Sequence, residues 1–100
     1  MKKRFFTKND RDFVVAFNDE KKQVFVGTVG FVSNIAAQMI CHELMASLRW
    51  KSNKSWMDLK DSNGNTCIAV GYKIPFWVST KRAEAMVASL FDESLLISES

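Results

Sequence analysis

The pattern of hydrophobic and polar positions divides the chain into strand-like and helix-like segments. Residues 13–17 ("FVVAF") and 23–29 ("QVFVGTV") are rich in β-branched and aromatic residues, and the polar stretch "NDEKK" separates them. This pattern predicts a β-hairpin. Ser33 then suits a helix N-cap, and residues 34–50 contain no Gly or Pro, so a helix of about four turns follows.

A second hairpin is predicted around the Asn63-Gly64 pair. Residues 55–60 ("SWMDLK") and 66–72 ("TCIAVGY") flank the polar segment "DSNGN". Asn-Gly favours a two-residue type I′ turn, because both central residues of that turn need a positive φ. Such a turn fixes the register and hence the two faces of the hairpin. One face would carry Met57, Leu59, Ile68 and Val70, and the other Trp56, Asp58, Lys60, Cys67 and Ala69.

The second half of the chain repeats the organisation of the first. The sequence aromatic-Val-Ser at 31–33 recurs at 77–79, and Val-Gly at 26–27 recurs at 70–71. We therefore predict a two-layer α+β domain, ββα-ββα, with an antiparallel sheet, two helices on one face and possible internal duplication. The predicted parts are a basic N-terminal arm at 1–12, a single domain at 13–97 made of units 13–50 and 55–97, and a tail at 98–100.

Composition indicates a folded cytoplasmic protein. The chain has 100 residues, of which 47% are hydrophobic, which suffices for one core. No apolar run approaches the roughly 18 residues of a membrane helix, and the first residues lack the apolar region of a signal peptide. Cys41 and Cys67 have no CxxC spacing, so we expect buried, inert thiols and no disulfide.

The sequence "ICHELMAS" (residues 40–47) raises the possibility of a zinc site. A zincin needs a second histidine four residues after the first, but that residue is Ala46, and His42 is the only histidine in the chain. Cys41 and His42 do not form a catalytic pair either, because adjacent helix residues point about 100° apart. With no phosphate-binding glycine loop either, we expect no enzyme activity, no catalytic residues, no metal and no cofactor.

The predicted first helix has two apolar sides at a spacing of 100° per residue. The core side would carry Ala36, Ala37, Ile40, Cys41, Leu44 and Leu48. The opposite side carries a second stripe, Ile35, Met39, His42, Ala46 and Trp50, and we predict this stripe to be a protein interface. In the alternative, Phe5 and Phe6 of the N-terminal arm cover the stripe inside the monomer.

Basic residues form three candidate sites for phosphate or acidic groups. The net charge is only +3, yet five of the first eleven residues are Lys or Arg. The segment "RWKSNKSW" (residues 49–56) interleaves cations with tryptophans, as single-strand nucleic-acid binders do. Two further cations lie in the first turn of the predicted second helix, and a helix N-terminus favours bound anions. The candidates are Lys2, Lys3, Arg4, Arg49, Lys51, Lys54, Lys81 and Arg82. In the alternative, the terminus and the helix pair are merely solvated, and the segment holds one surface and one core tryptophan.

These features predict a small non-enzymatic binding protein that docks on another macromolecule. Its partner would be a protein or a second copy in a homodimer, and no membrane is expected. Inhibitors and adaptors have this build, including proteins that mobile elements such as phages direct against host nucleic-acid enzymes. The alternative is direct nucleic-acid binding through the basic and aromatic residues, for which a net charge of +3 is modest.

Overall fold

The computed structural model describes residues 2–28, 33–61, 63–91 and 93–99, with backbone only for 93–99 and no side chain for Lys54. Residue 1 of the predicted arm, residue 29 of the first predicted hairpin, residues 31 and 32 of the sequence repeat and residue 100 of the predicted tail lie outside the described residues. Within them the elements are β1 Lys2–Lys8, β2 Arg11–Asn18, β3 Gln23–Thr28, α1 Asn34–Met45, a 3-10 helix Ala46–Leu48, β4 Ser52–Lys60, β5 Thr66–Lys73, α2 Thr80–Ala88 and β6 Glu93–Glu99.

The strands form one antiparallel sheet in the order β4-β5-β3-β2-β1-β6. Both helices pack on the same face of the sheet, where Cys41 and Met45 of α1 join Ala83 and Val87 of α2 in one buried cluster with strand residues such as Val15. The predicted α+β class, an antiparallel sheet with two helices on one face, is confirmed.

The two predicted ββα units meet through their second strands. Val26 of β3 lies opposite Val70 of β5 in the antiparallel register, and these are equivalent positions in the sequence repeat. A duplicated unit related by a two-fold axis would place equivalent residues side by side in this way. Duplication itself stays a hypothesis.

The sheet curls around a second buried cluster on the face that the helices leave open. Phe5, Val14, Phe25 and Leu59 are among its members. Lys3 Nζ of β1 donates a hydrogen bond to the Lys60 carbonyl of β4 at 3.2 Å, although three strands separate β1 from β4. Flat strands spaced about 4.8 Å apart could not bring these two together.

The predicted N-terminal arm at 1–12 is wrong as a separate arm, because Lys2–Lys8 form strand β1 and pair with both β2 and β6. Phe5 and Phe6 alternate between the two clusters, and burying both rings makes this basic segment part of the sheet. Asn9 and Asp10 both have a positive φ, 52° and 62°, as a two-residue type I′ turn requires. Likewise the predicted 98–100 tail overlaps β6, which ends at Glu99.

Helix α1 begins as predicted but ends early. Ser33 Oγ accepts a hydrogen bond from the Ala36 N–H at 3.2 Å. The α-helix stops at Met45, and Arg49 then adopts a left-handed φ of 58°. The chain direction therefore changes before Trp50, which is buried in the core. Trp50 is thus not part of the exposed stripe, and the predicted helix over 34–50 is too long.

The predicted register of the second hairpin is wrong by one residue. The Asp61 N–H donates to the Asn65 carbonyl at 2.9 Å, and Asp61 Oδ1 accepts from the backbone N–H groups of Asn63 and Asn65. This carboxylate stabilises a turn longer than the predicted two residues. Gly64 has a positive φ of 85°, whereas Asn63 does not. The observed pairs are Met57 with Ala69, Asp58 with Ile68 and Leu59 with Cys67. Ala69 and Cys67 of β5 therefore share a face with Met57 and Leu59 of β4, in place of the predicted Ile68 and Val70.

Candidate binding surface at the Phe76–Trp77 turn

Two adjacent aromatic side chains are exposed between β5 and α2. Phe76 is 84% exposed and Trp77 is 71% exposed. Their rings meet edge to face, with centroids 5.1 Å apart and an interplanar angle of 88°. Large aromatic side chains dominate the energetics of cores and interfaces, and contiguous exposed apolar area marks interaction sites. The pair is therefore the first feature of a candidate site.

The turn that carries these rings is anchored at both ends. Ile74 and Val78 are buried in the helix-side cluster, and the Val78 N–H donates to the Pro75 carbonyl at 3.0 Å. Pro75 restricts φ at the start of the turn. The two buried anchors leave Phe76 and Trp77 no access to the core, so both rings point to solvent.

Lys22 holds the turn from the neighbouring β2–β3 connection. Its Nζ donates hydrogen bonds to the carbonyls of Pro75 at 3.3 Å and Phe76 at 3.2 Å, and also to that of Val78. Its own carbonyl accepts from the Ile74 N–H at 3.0 Å. Four contacts from one residue fix the backbone beneath the rings. A turn held in this way loses little further conformational freedom when a ligand binds.

A groove of about 640 Å³ lies beside the turn. Its walls combine the rings with Trp50, Leu48 and Met86. None of the described residues that line it is acidic, so its charged side chains are all basic and would attract anions. The basic lining residues are Arg49, Lys51, Lys73 and Arg82. We call these four residues, with Phe76 and Trp77, the aromatic–basic surface.

Long-range pairing brings these cations together. The Lys73 N–H donates to the Lys51 carbonyl at 2.9 Å, which joins the end of β5 to the segment before β4. Arg82 is in the first turn of α2, whose N-cap Ser79 accepts from the Arg82 N–H at 3.2 Å. The helix N-terminus adds partial positive charge on the same side. Arg49, Lys51 and Arg82 were predicted from the sequence, whereas Lys73, Phe76 and Trp77 were not.

The other predicted cations lie elsewhere. Lys2 Nζ and Arg4 Nη2 contact Glu84 Oε1 at 3.0 and 3.5 Å, and Lys81 lines the same depression. The buried Glu84 carboxylate offsets positive charge there, which makes that depression a weaker anion site. Lys3 Nζ donates to the backbone carbonyl of Lys60, and the Lys54 side chain lies outside the described residues.

The predicted interface stripe on α1 is exposed except at its end. Ile35 and Met39 are 72% and 66% exposed, and His42 and Ala46 are exposed as well. His42 Nδ1 is within 2.6 Å of the Tyr72 hydroxyl, which fixes the ring at the border of the stripe. Burial is the main cause that raises the pKa of Tyr72, followed by the nearby Cys41, so the phenol stays protonated.

The two thiols are buried and free, as predicted. Burial, with a smaller contribution from Cys67, raises the pKa of Cys41 to about 12. Burial, and next the charge of Asp61, raises the pKa of Cys67 to about 11. A thiol with so high a pKa is a poor nucleophile at neutral pH. No group of three His, Cys, Asp or Glu that could hold a metal occurs in the part of the chain that the structure describes.

Comparisons with protein-family models, curated proteins and solved structures gave no match. No helix within the described ranges is both long enough and apolar enough to cross a membrane.

Proposed function

We propose that the chain is a non-enzymatic, cytoplasmic binding protein that docks on a negatively charged macromolecule through the aromatic–basic surface. The observation that carries this proposal is the rigid exposure of Phe76 and Trp77 beside four basic residues. Because Lys22 bonds to the backbone of the turn, the exposure belongs to an ordered structure and not to a loose loop.

The energetics favour a binding role for these rings. Covering an exposed ring of this size contributes roughly 1.5–3 kcal/mol from apolar area alone. Trp and Arg are also the residues most often found at interface hot spots. Association costs several kcal/mol in lost freedom, and the ordered turn lowers that cost. Two such rings would contribute roughly 3–6 kcal/mol, and contacts from the four cations would add to this.

A photocrosslinking experiment tests this proposal. Benzoylphenylalanine replaces Trp77 in one variant and Trp56, an exposed tryptophan on β4, in a matched control. In the cells that express the protein, position 77 should crosslink to a macromolecule that position 56 does not reach. The purified partner should then bind wild-type protein and lose at least about tenfold in affinity with Trp77→Ser, which is about 1.4 kcal/mol. Equal crosslinking from both positions, or an unchanged affinity, would count against the proposal.

Exposed apolar residues on α1 favour a second candidate function, docking on a protein or on a second copy of the chain. Ile35 and Met39 together present apolar area that water disfavours. Met39→Glu should abolish a dimer measured by sedimentation velocity and leave the fold intact, whereas Leu44→Glu should unfold the protein. An inhibitor or adaptor role, such as that of a phage protein against a host nucleic-acid enzyme, could use either surface.

A further inference from the structure

We infer that the partner of the aromatic–basic surface is a single-stranded nucleic acid, with the rings stacking on bases and the cations contacting phosphates. This inference rests on the proposed function and names its ligand. Basic grooves with aromatic side chains on which bases stack are the general means of binding single strands.

The angle between the two rings favours a single strand over a duplex. Phe76 and Trp77 stand at 88° to each other, so neighbouring bases that remain stacked in parallel cannot lie flat on both rings. Two bases must be splayed apart for one to stack on Phe76 and the other on Trp77. A single strand permits this, whereas a paired helix resists it. The rings also lie on a turn, whereas the wide groove of a duplex is usually read by a helix or a β-ribbon.

The four cations line the same groove as the rings, where they are available to phosphates. Arg49 and Lys51 flank the buried Trp50 in the sequence, Lys73 pairs with Lys51 through the backbone, and Arg82 is in the first turn of α2. None of the described lining residues is acidic, so a phosphate chain in the groove meets no like charge. The groove volume of about 640 Å³ is in the range of small-ligand sites, so the groove can hold one or two nucleotides, and the flanking phosphates of the strand must reach the remaining cations.

Fluorescence anisotropy with labelled oligonucleotides tests the inference. Oligo-dT and oligo-rU of about twelve nucleotides should bind at about 50 mM salt and weaken at about 200 mM, with a log–log slope near −3 for four phosphates. Trp77→Ser should weaken binding by about tenfold, and the control Trp56→Ser by less than about twofold. Arg82→Gln should reduce the slope by about 0.7, while the adjacent Lys81→Gln should not.

Duplex and lipid probes distinguish a single strand from other negatively charged partners. A duplex of the same length should bind at least about tenfold more weakly than the single strand. Equal duplex binding, or single-strand binding that Trp77→Ser leaves unchanged, overturns the inference. Binding to phosphatidylserine vesicles without binding to oligonucleotides would assign the surface to a lipid instead. If oligonucleotides fail while position 77 still crosslinks to a protein, this inference fails and the proposed function stands. If both experiments fail, both are wrong.

Discussion

Removing the Lys22 ammonium should loosen the turn that presents the two exposed rings. Lys22→Met keeps the apolar part of the side chain and deletes the donor to three carbonyls. The Phe76 carbonyl is exposed and can bond to water, but the bonds to Pro75 and Val78 are partly buried. The Pro75 carbonyl keeps its bond from the Val78 N–H, so the main cost is the partly buried Val78 carbonyl, which loses its Lys22 donor at about 1–3 kcal/mol. For a domain of 100 residues, that corresponds to a fall in Tm of roughly 5–14 °C.

Lys21→Met is the matched control, because Lys21 is the exposed neighbour in the same turn. Thermal unfolding measures the stability of both variants. Hydrogen exchange of the Val78 amide, which bonds to the Pro75 carbonyl, measures local opening. We expect faster exchange and a lower Tm only in Lys22→Met. If both variants unfold and exchange like the wild type, Lys22 does not hold the turn and the rings are not preorganised.

Three further predictions concern the core, the thiols and the second hairpin. Met45 is 2% exposed, so Met45→Ala should lower the free energy of unfolding by about 2–5 kcal/mol. Met39→Ala on the same helix should change it by less than about 0.5 kcal/mol. Equal losses of stability in urea titrations would place Met39 in the core. Cys41 and Cys67 should react slowly with a thiol reagent at a pH of about 8 until urea is added. In the folded protein both thiols have a pKa above the value of about 9.0 that a thiol has in the unfolded chain, so the free energy of unfolding should fall as the pH rises from about 9.0 towards 11. Rapid labelling of the native protein, or a stability that does not change over this pH range, would contradict the burial of the two thiols. Gly64→Val should lower the free energy of unfolding by about 1 kcal/mol or more, because Gly64 has a φ of 85° that a β-branched residue resists. An unchanged melting temperature would rule out that turn.

Local signals in the sequence predicted much of the fold. Ser33 caps α1 as expected, Ser79 at the equivalent position of the sequence repeat caps α2, and the β-branched segments form strands. Strand β1 was missed because its basic residues mask the alternation of Phe5 and Phe6 between the two faces. The α-helix gives way to a 3-10 helix after Met45, and the left-handed Arg49 ends that turn; neither Gly nor Pro signals this end in the sequence.

The candidate site was predicted only in part. Arg49, Lys51 and Arg82 were identified from their aromatic and helix-start context, but their convergence depends on the pairing of Lys73 with Lys51, a contact between distant parts of the chain. Phe76 and Trp77 could not be distinguished from core residues by type, since aromatic residues are highly buried on average. The one available signal was their position, directly after a proline and before a helix cap.

The most direct test of the central claim compares two variants in binding to the partner crosslinked at position 77. The dissociation constant is measured for Trp77→Ser, on the aromatic–basic surface, and for Met39→Glu, on the α1 stripe. Both side chains are exposed, so both variants should fold. We expect Trp77→Ser to lose at least about tenfold in affinity and Met39→Glu to stay within about twofold of the wild type. The opposite pattern would move the docking surface to α1 and contradict the account.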